Sequence, residues 1–461
     1  MAQKKSRLFP VAFLAAKATL AALKLTNHEG GTLPGFIAEG IDPAFLGDIA
    51  KPEQIVFITG TNGKTTTNNL LNDLLADNGY QTVTNRVGGN ISSGFASSFA
   101  KNATWKGTSK TKLAVMEFDE LSGPRIFPYL QPDILSVTNL FRDTFSRSAT
   151  PDYVFDVMDK GIPASTHLIL NADDMISCRL APQCTHRTYY SIARLAEDTA
   201  EPVGIVSDLT ACPKCGGKLK WDYAHLRHLG HAACEECGYT NPTPDYEVIS
   251  VEPETGKFVV KEHCHEGAPT YEYKLNSYSI VNLYNLFVAI VTAREMGLAP
   301  ATIAASLQRV NIASSRYNEI DYNGRRLISM ASKGENDTAT SVTIDILRKQ
   351  PGDKAIIIMI ADAYMAKAKD QTEYIGWYYQ TDFEFLQDPA SSRSLFMATR
   401  RLTCSLGSDL PVLIQLKPLW QALLKRPLTW LTLTLASTFS MHTASITVAL
   451  LTSAETVSLS A

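Results

Sequence analysis

The 461-residue chain is poor in cysteine, in net charge and in unbroken apolar runs of membrane-spanning quality. Eight cysteines over this length are too few for a disulfide scaffold, so the fold must rest on a hydrophobic core, and the usage suits a reducing, cytoplasmic compartment. A net charge of −3 and a pI near 6.3 exclude a protein that coats nucleic acid, and no nucleic-acid partner is expected. Residues 428–454 carry no charge over 27 positions, yet 11 of them are Ser or Thr, a composition that inserts poorly into a bilayer. The N-terminus offers Lys4, Lys5 and Arg7 before an apolar stretch from Leu8 to Leu25. Lys17 and Lys24 interrupt that stretch and no small-residue cleavage site follows, so it reads as an amphipathic helix packed on the domain or resting on a membrane surface rather than a signal peptide. Charge is also missing from the end of the chain. Between Leu410 and Ala461 the only charged residues are Lys417, Lys425, Arg426 and Glu455.

What is present is globular: 45% hydrophobic and 19% charged residues, with length for two to four domains. Ile55-Val56-Phe57-Ile58-Thr59 is a β-branched run of the kind found in buried parallel strands. It runs into Gly60-Thr61-Asn62-Gly63-Lys64-Thr65-Thr66-Thr67, and a helical pattern follows with Leu70, Leu71, Leu74 and Leu75 on one face. Strand, glycine-rich turn, Lys-Thr and helix is the layout of a phosphate-binding loop. The glycines let backbone N–H groups approach phosphate, and the helix N-terminus adds partial positive charge. Lys64 would reach the β- and γ-phosphates of ATP, and the Thr65 hydroxyl would hold Mg²⁺. The loop is shorter than the general pattern, whose first glycine would fall at Ile58. Leu113–Met116 reads as a second buried strand ending at Glu117, which makes Glu117 the leading carboxylate for the metal; Glu120, a little further on, reads as part of a solvated acidic turn.

Cys212-Pro-Lys-Cys215 and Cys234-Glu-Glu-Cys237 form two Cys-x-x-Cys knuckles, each followed by a glycine. Four thiolates at this spacing predict a closed, structural Zn²⁺ site. Between the knuckles lie Lys218, Lys220, His225, Arg227, His228 and His231 with Trp221 and Tyr223, read either as a mild basic-aromatic binding surface or as a small solvated insert.

The loop and the strand ending at Glu117 resemble the Mur ligase superfamily, whose members use ATP to activate a carboxylate as an acyl-phosphate that an amine then attacks. The inserted ribbon narrows the resemblance to the branch that forms the ligase-like subunit of lipid II isoglutaminyl synthase. Further matching stretches are Thr32–Ala38, Thr138–Asp143, Leu170–Asp174, Asn282-Leu283-Tyr284-Asn285 and Asp382-Phe383-Glu384. The resemblance implies an α/β fold. It has a Mur-ligase-like central P-loop domain with a parallel sheet and the zinc-ribbon insert (residues 205–245), and a C-terminal α/β domain with an aberrant tail. The domains fall at 1–50 (N-terminal helical segment), 51–313 (central ATP-binding domain), 314–400 (C-terminal domain) and 401–461 (atypical tail).

By position, the resemblance gives Gly60, Thr61, Asn62, Gly63, Lys64, Thr65 and Thr66 to ATP and Mg²⁺, and Glu117 to the metal and γ-phosphate site. It brings Asn285 and Arg316 to the nucleotide, and Lys333 matches a further position of the pattern. It implies a GatD-like glutamine amidotransferase subunit as partner, with Asp370 as the acidic residue completing that partner's Cys-His pair, and lipid II as substrate at the inner face of the membrane. The chain departs from the pattern at Val281, where the superfamily at large has His, at Gln380, where the branch has Asp, and over Ser332–Asp337. The loss of charge beyond Thr399 is read as a reading-frame shift near Thr399–Arg401, with natural divergence of the tail as the alternative reading. Two other readings stay open: a Mur-type or folyl-polyglutamate-like amino-acid ligase, and a non-catalytic nucleotide-binding zinc module that docks partners.

Overall fold

The computed structural model describes residues 5–86, 89–143, 150–309, 317–322, 325–333, 336–349, 354–360, 376–387, 393–398 and 445–452. Arg316, Asp370 and the proposed frame-shift point at Thr399–Arg401 lie outside these residues. The chain divides into two compact units, one essentially residues 1–313 and the other essentially residues 314–461 together with Gly204–Val206.

The first unit is built on nine strands: β1 (Gln54–Thr59), β2 (Thr82–Val83), β3 (Leu113–Glu117), β4 (Ile134–Val137), β5 (His167–Asn171), β6 (Arg187–Ile192), and, after a separate hairpin of β7 (Leu219–Leu226) and β8 (Leu229–Cys234), β9 (Tyr246–Glu252), β10 (Lys257–Glu262) and β11 (Thr270–Lys274). Their order is β11-β10-β9-β6-β5-β4-β1-β3-β2. Every neighbouring pair from β2 to β9 is parallel, and β9, β10 and β11 finish the sheet as an antiparallel meander. Strand β1 is covered on both faces, which is why it reads as an unbroken apolar run. Ile55 and Phe57 join a core with Phe95, Phe118 and the N-terminal helix Phe9–Leu25, whereas Val56 and Ile58 join another with Leu71, Phe287 and Ile290. The N-terminal helix does pack on the domain, burying Phe9, Ala12, Phe13 and Ala16. β1 sits between β3 and β4, so the chain leaves it in one direction and returns on its other side. That reversal opens a crevice at the carboxyl end of the strand, where ligands bind in open α/β sheets. The helix Ile280–Glu295 starts at Ser279, whose hydroxyl accepts from the Asn282 N–H (3.1 Å), and is buried without interruption from Leu283 to Ala293.

The second unit holds β12 (Tyr317–Tyr322), β13 (Arg325–Lys333), β14 (Lys354–Ile360), β15 (Arg393–Ala398) and β16 (Ser445–Thr452) in the order β12-β13-β16-β14-β15. β16 runs antiparallel to both β13 and β14. It comes from the charge-poor tail, and its Ile-Thr-Val-Ala-Leu-Leu core suits a strand flanked on both sides. The helix Asp337–Arg348 is capped by Asn336, whose side-chain oxygen accepts from the Ala339 N–H (2.7 Å). Asp382, from the Asp-Phe-Glu stretch, is buried: its carboxylate accepts from the Ile205 N–H (2.5 Å) and its own N–H donates to the Ser341 hydroxyl (2.9 Å). Among the described residues no helix is long and apolar enough to cross a membrane.

Candidate functional site: a phosphate loop braced by a cysteine-rich hairpin

The loop after β1 folds as its glycines dictate. Gly60 and Gly63 take φ of +120° and +89°, backbone that other residues rarely adopt. Both are also sterically locked. A Cβ on Gly60 would meet the Thr138 hydroxyl at 2.1 Å, and one on Gly63 would meet Asn285 Oδ1 at 2.0 Å. Gly63 is the N-cap of the 14-residue helix Lys64–Asp77, so the free N–H groups of that first turn point into the crevice. The rest of the loop is tied to the segment after β4. The Thr61 N–H donates to the Asn139 carbonyl (2.9 Å), the Asn62 N–H to Asn139 Oδ1 (3.0 Å), and the Thr138 hydroxyl to the Asn62 carbonyl (2.7 Å). The Thr67 hydroxyl donates to the Asn285 carbonyl (3.2 Å). The structure therefore brings Gly60–Thr66 and Asn285 together, although they are more than 200 residues apart.

The carboxylates follow. The Thr65 hydroxyl donates to Glu117 Oε2 at 2.7 Å, and Asn90 Nδ2 donates to Glu117 Oε1 at 2.9 Å. Asn85 clamps the Glu117 backbone from both sides, accepting from its N–H (2.9 Å) and donating to its carbonyl (2.8 Å). A hydroxyl and a carboxylate held in contact at a helix N-terminus are oxygen donors suited to a hard divalent cation. Lys64 reaches back over the loop to the Gly60 carbonyl (2.6 Å) and pairs with Glu120 at 2.8 Å. This corrects the expectation for Glu120. It is not a solvated turn residue: its side chain is 6% exposed and pairs with Lys64. The signal for its role lies in three dimensions only, because a 3-10 turn at Glu120–Ser122 swings it back under the loop. Asn85 and Asn90 were likewise unreadable, since asparagines before a strand look like ordinary loop residues.

The four cysteines converge on the hairpin β7–β8. Their sulfurs all lie within 4.8 Å of one another, with Cys212 and Cys237 at 3.7 Å and Cys215 and Cys234 at 3.5 Å. Thiolates on one tetrahedral zinc at about 2.3 Å would sit about 3.8 Å apart, so the donor set fits that ion. Gly216 and Gly238 turn the knuckles at φ of +77° and +68°. N–H groups of Lys214, Gly217 and Cys237 point at Cys212, Cys215 and Cys234 sulfurs, each at 3.4 Å. The Cys237 N–H is the main reason the Cys234 thiol is held down to about 7, while against the Gly217 N–H the neighbouring thiols push Cys215 up to about 12.

Of the residues between the knuckles, Lys218 and Lys220 are exposed, but Arg227 and His228 are buried. The side chains of His225, Asp198, His228 and Asp174 are fully buried. His225 Nδ1 lies 2.8 Å from Asp198 Oδ1 and its Nε2 lies 2.9 Å from the Ile192 carbonyl. An ionised Asp198 and the Ile192 carbonyl only accept, so the imidazolium, with a proton on each ring nitrogen, is the form that satisfies both partners. Burial opposes that charge, but Asp198 and Asp173 outweigh it and raise the His225 pKa. His228 Nε2 lies 3.2 Å from Asp174 Oδ1 and its ring stacks at a tilt on Phe141. Asp174 in turn accepts from the Leu140 N–H (2.7 Å), and Asp173 accepts from the Tyr284 hydroxyl (2.8 Å). Leu140 follows the Asn139 that holds the phosphate loop, and Tyr284 precedes Asn285. The hairpin thus reaches one wall of the crevice through the His228–Asp174 contact and the other through the His225 ring, which stands edge-on to Tyr284 at 6.1 Å.

A pH dependence follows. A folded-state pKa above the unfolded value of about 6.5 stabilises the fold fully below about 6.5 and is lost as pH rises through the raised value. Burial also raises Asp173, to about 6, and that contribution is lost over a lower window, from about 4 to about 6. The thermal midpoint should therefore fall on going from pH 6.5 to alkaline pH, and His225→Gln should flatten that slope. Parallel slopes for the two proteins would refute the imidazolium assignment.

Comparison with known proteins agrees with this geometry. Residues 58–205, from the end of β1 to the segment between β6 and β7, match the Mur ligase middle domain family. Over 391 residues the chain is 30% identical to "Lipid II isoglutaminyl synthase (glutamine-hydrolyzing) subunit MurT" of Staphylococcus aureus (strain COL), covering 84% of each. The chain belongs to the MurT family. The MurT protein of Streptococcus pneumoniae is 28% identical over 78% of this chain and 77% of its own length. Among solved structures, a pseudomurein peptide ligase type C from Methanothermus fervidus superposes with a TM-score of 0.52 at 21% identity, covering 67% of this chain; the chain spans 58% of that protein. A UDP-N-acetylmuramoylalanyl-D-glutamyl-2,6-diaminopimelate–D-alanyl-D-alanyl ligase from Acinetobacter baumannii superposes with a TM-score of 0.51 at 15% identity, over 79% of this chain and 67% of its own. At these identities the two structures speak for the Mur ligase fold alone.

Proposed function

We propose that the chain is an ATP-dependent carbon–nitrogen ligase, the subunit that amidates the α-carboxylate of D-Glu in the stem peptide of lipid II. The observation that carries this reading is the crevice at β1, where a lysine, a threonine–glutamate pair and the free N–H groups of a helix's first turn come together. A carboxylate is a poor electrophile until its oxygen is made a leaving group. Lys64 and the N–H groups of the first helical turn would hold the nucleotide phosphates, and Thr65 and Glu117 would hold Mg²⁺, which supplies charge neutralisation as the γ-phosphoryl leaves for the substrate carboxylate. Lys64 would exchange Glu120 for phosphate when ATP arrives, and Asn285 would border the nucleotide. Arg316 is assigned to the nucleotide and Asp370 to the partner's site on sequence alone.

The amine is ammonia, delivered by a GatD-like glutamine amidotransferase subunit; it displaces phosphate from the acyl-phosphate and leaves D-isoglutamine. Exclusion of water from that transfer protects the acyl-phosphate. The four cysteines are proposed to bind one structural Zn²⁺, closed by four protein ligands and therefore not part of the chemistry. The substrate's lipid tail places the enzyme at the inner face of the plasma membrane as a peripheral protein. The proposed domains are a helical segment to residue 50, an ATP-binding domain to 313 with the ribbon at 205–245, a C-terminal domain to 400, and an atypical tail that returns strand β16 to the C-terminal sheet.

The deciding assay is ADP release by the chain with lipid II, glutamine and the glutaminase subunit. Turnover is expected only when all three are present. ADP release that needs an amino acid and ignores glutamine would make the chain an amino-acid ligase, and tight nucleotide binding with no turnover under any of these conditions would make it a docking module.

A further inference from the structure

The helix Phe9–Leu25 is apolar on two opposite faces. One face, Phe9, Ala12, Phe13 and Ala16, is buried in the core. The other carries Val11, Leu14, Ala18, Ala21, Ala22 and Leu25, at the three- and four-residue spacing that forms a single stripe. That stripe is open: Val11 is 57%, Leu14 61% and Leu25 89% exposed, with Leu8 at 51% continuing it past the helix start. Exposed apolar residues scattered singly are ordinary, but a continuous stripe on one helix marks a surface that meets something.

The flanking charge is mostly positive, although Asp48 accepts from the Ser6 N–H (2.6 Å) at the helix start and Glu29 is exposed just past its end. Residues 1–28 contain Lys4, Lys5, Arg7, Lys17 and Lys24 and no acid, and residues 78–116 contain one arginine and four lysines and no acid. The structure joins these two segments at Lys17. Its ammonium donates to the Ala103 carbonyl (2.5 Å) and lies over the ring of Trp105, 5.6 Å from the centroid. Trp105 is itself 73% exposed, and Lys101, Lys106 and Lys110 around it are exposed as well. An apolar helical stripe, an exposed tryptophan and a rim in which cations outnumber acids is the composition of a surface that lies in the interface of an anionic bilayer. At 17 residues the helix is about 25 Å long, and its buried face is already committed to the core, so it can lie along a membrane but not cross it.

We propose that this face, the outer stripe of Phe9–Leu25 with Trp105 and its lysines, docks the protein onto an anionic lipid surface. The proposal deepens the reading of a lipid-linked substrate and rests on it for its purpose, though not for its evidence. Apolar side chains would enter the acyl boundary while Lys5, Arg7, Lys24, Lys101, Lys106 and Lys110 meet lipid phosphate.

Flotation of the full chain with vesicles tests it. Binding is expected to vesicles of phosphatidylglycerol mixed with phosphatidylcholine, weakening as salt rises, and not to phosphatidylcholine alone. Val11→Glu with Leu14→Glu should weaken it by about tenfold or more, and so should Lys101→Glu with Lys106→Glu. Nucleotide affinity and thermal midpoint, which report the buried face and the crevice, should stay as in the parent. Equal binding by the parent and both variants, or no binding to the anionic vesicles, overturns the proposal. A lipid-free dimer that Val11→Glu with Leu14→Glu dissolves overturns it in favour of a second copy of the chain. Turnover on a detergent-soluble substrate bears on the ligase reading alone, and should be unchanged in these variants.

Discussion

Replacing Lys64 with alanine is expected to lower lipid II-dependent ADP release by about a thousandfold, an effect of about 4 kcal/mol on the barrier. The magnitude follows from position. Lys64 sits at the first turn of the helix after β1, its side chain is 12% exposed, and its ammonium is already folded back over the loop to the Gly60 carbonyl. A cation held there in a water-poor crevice acts on developing phosphate charge far more strongly than it would in bulk water. The experiment needs a second variant, because Lys64→Ala also leaves the buried Glu120 without its cation, and a buried unpaired carboxylate destabilises a fold. In Lys64→Ala with Glu120→Gln the thermal midpoint should return toward the parent value while turnover stays low. Recovery of turnover along with stability would show that Lys64 braces the loop rather than serving the phosphates.

Loss of one cysteine of the hairpin should have the next largest effect. Purified protein is expected to carry one zinc per chain by elemental analysis, and Cys215→Ser to carry none. Structural zinc sites hold their folds by amounts that isolated fingers cannot do without. Here the hairpin is anchored to a larger domain, so a drop in thermal midpoint of about 10 °C, equivalent to several kcal/mol, is the expected scale. The consequence should reach the nucleotide. His225 and His228 lie on the hairpin and contact Asp198 and Asp174, and Asp174 holds the segment that ties down the phosphate loop. Nucleotide affinity should therefore fall in Cys215→Ser although the cysteine belongs to the hairpin. A variant without zinc that binds nucleotide as the parent does would show that the hairpin and the loop are energetically independent.

Local features were legible in the sequence. The phosphate loop announces itself because strand, glycines, lysine and helix are contiguous, and the cysteines because a metal fixes their spacing. Glu117 was legible as the end of a buried strand. Features that depend on long-range closure were not. Glu120 looks like one more acid in an acidic turn until the turn folds it onto Lys64. His225 and His228 look like part of a basic surface, and only burial against Asp198, Asp173 and Asp174 makes them braces. Asn285 was placed by resemblance, but its close fit against Gly63 is visible only once the helix Ile280–Glu295 is laid beside the loop. Composition hid β16 in a different way. A tail without charge makes poor surface, and the same lack of charge suits the middle of a sheet.

That last strand also sets a timetable. β13 and β14 do not touch along their length as partners; each hydrogen-bonds to β16, which is the final described element of the chain. On the ribosome, β12 with β13 and β14 with β15 can form only as two separate pieces, each showing an open edge to every other nascent chain. The sheet becomes one object when Ser445–Thr452 leaves the exit tunnel. The second unit therefore completes its folding only once that strand is available, and its open-edged interval is the moment at which a chaperone, or another copy, has something to hold.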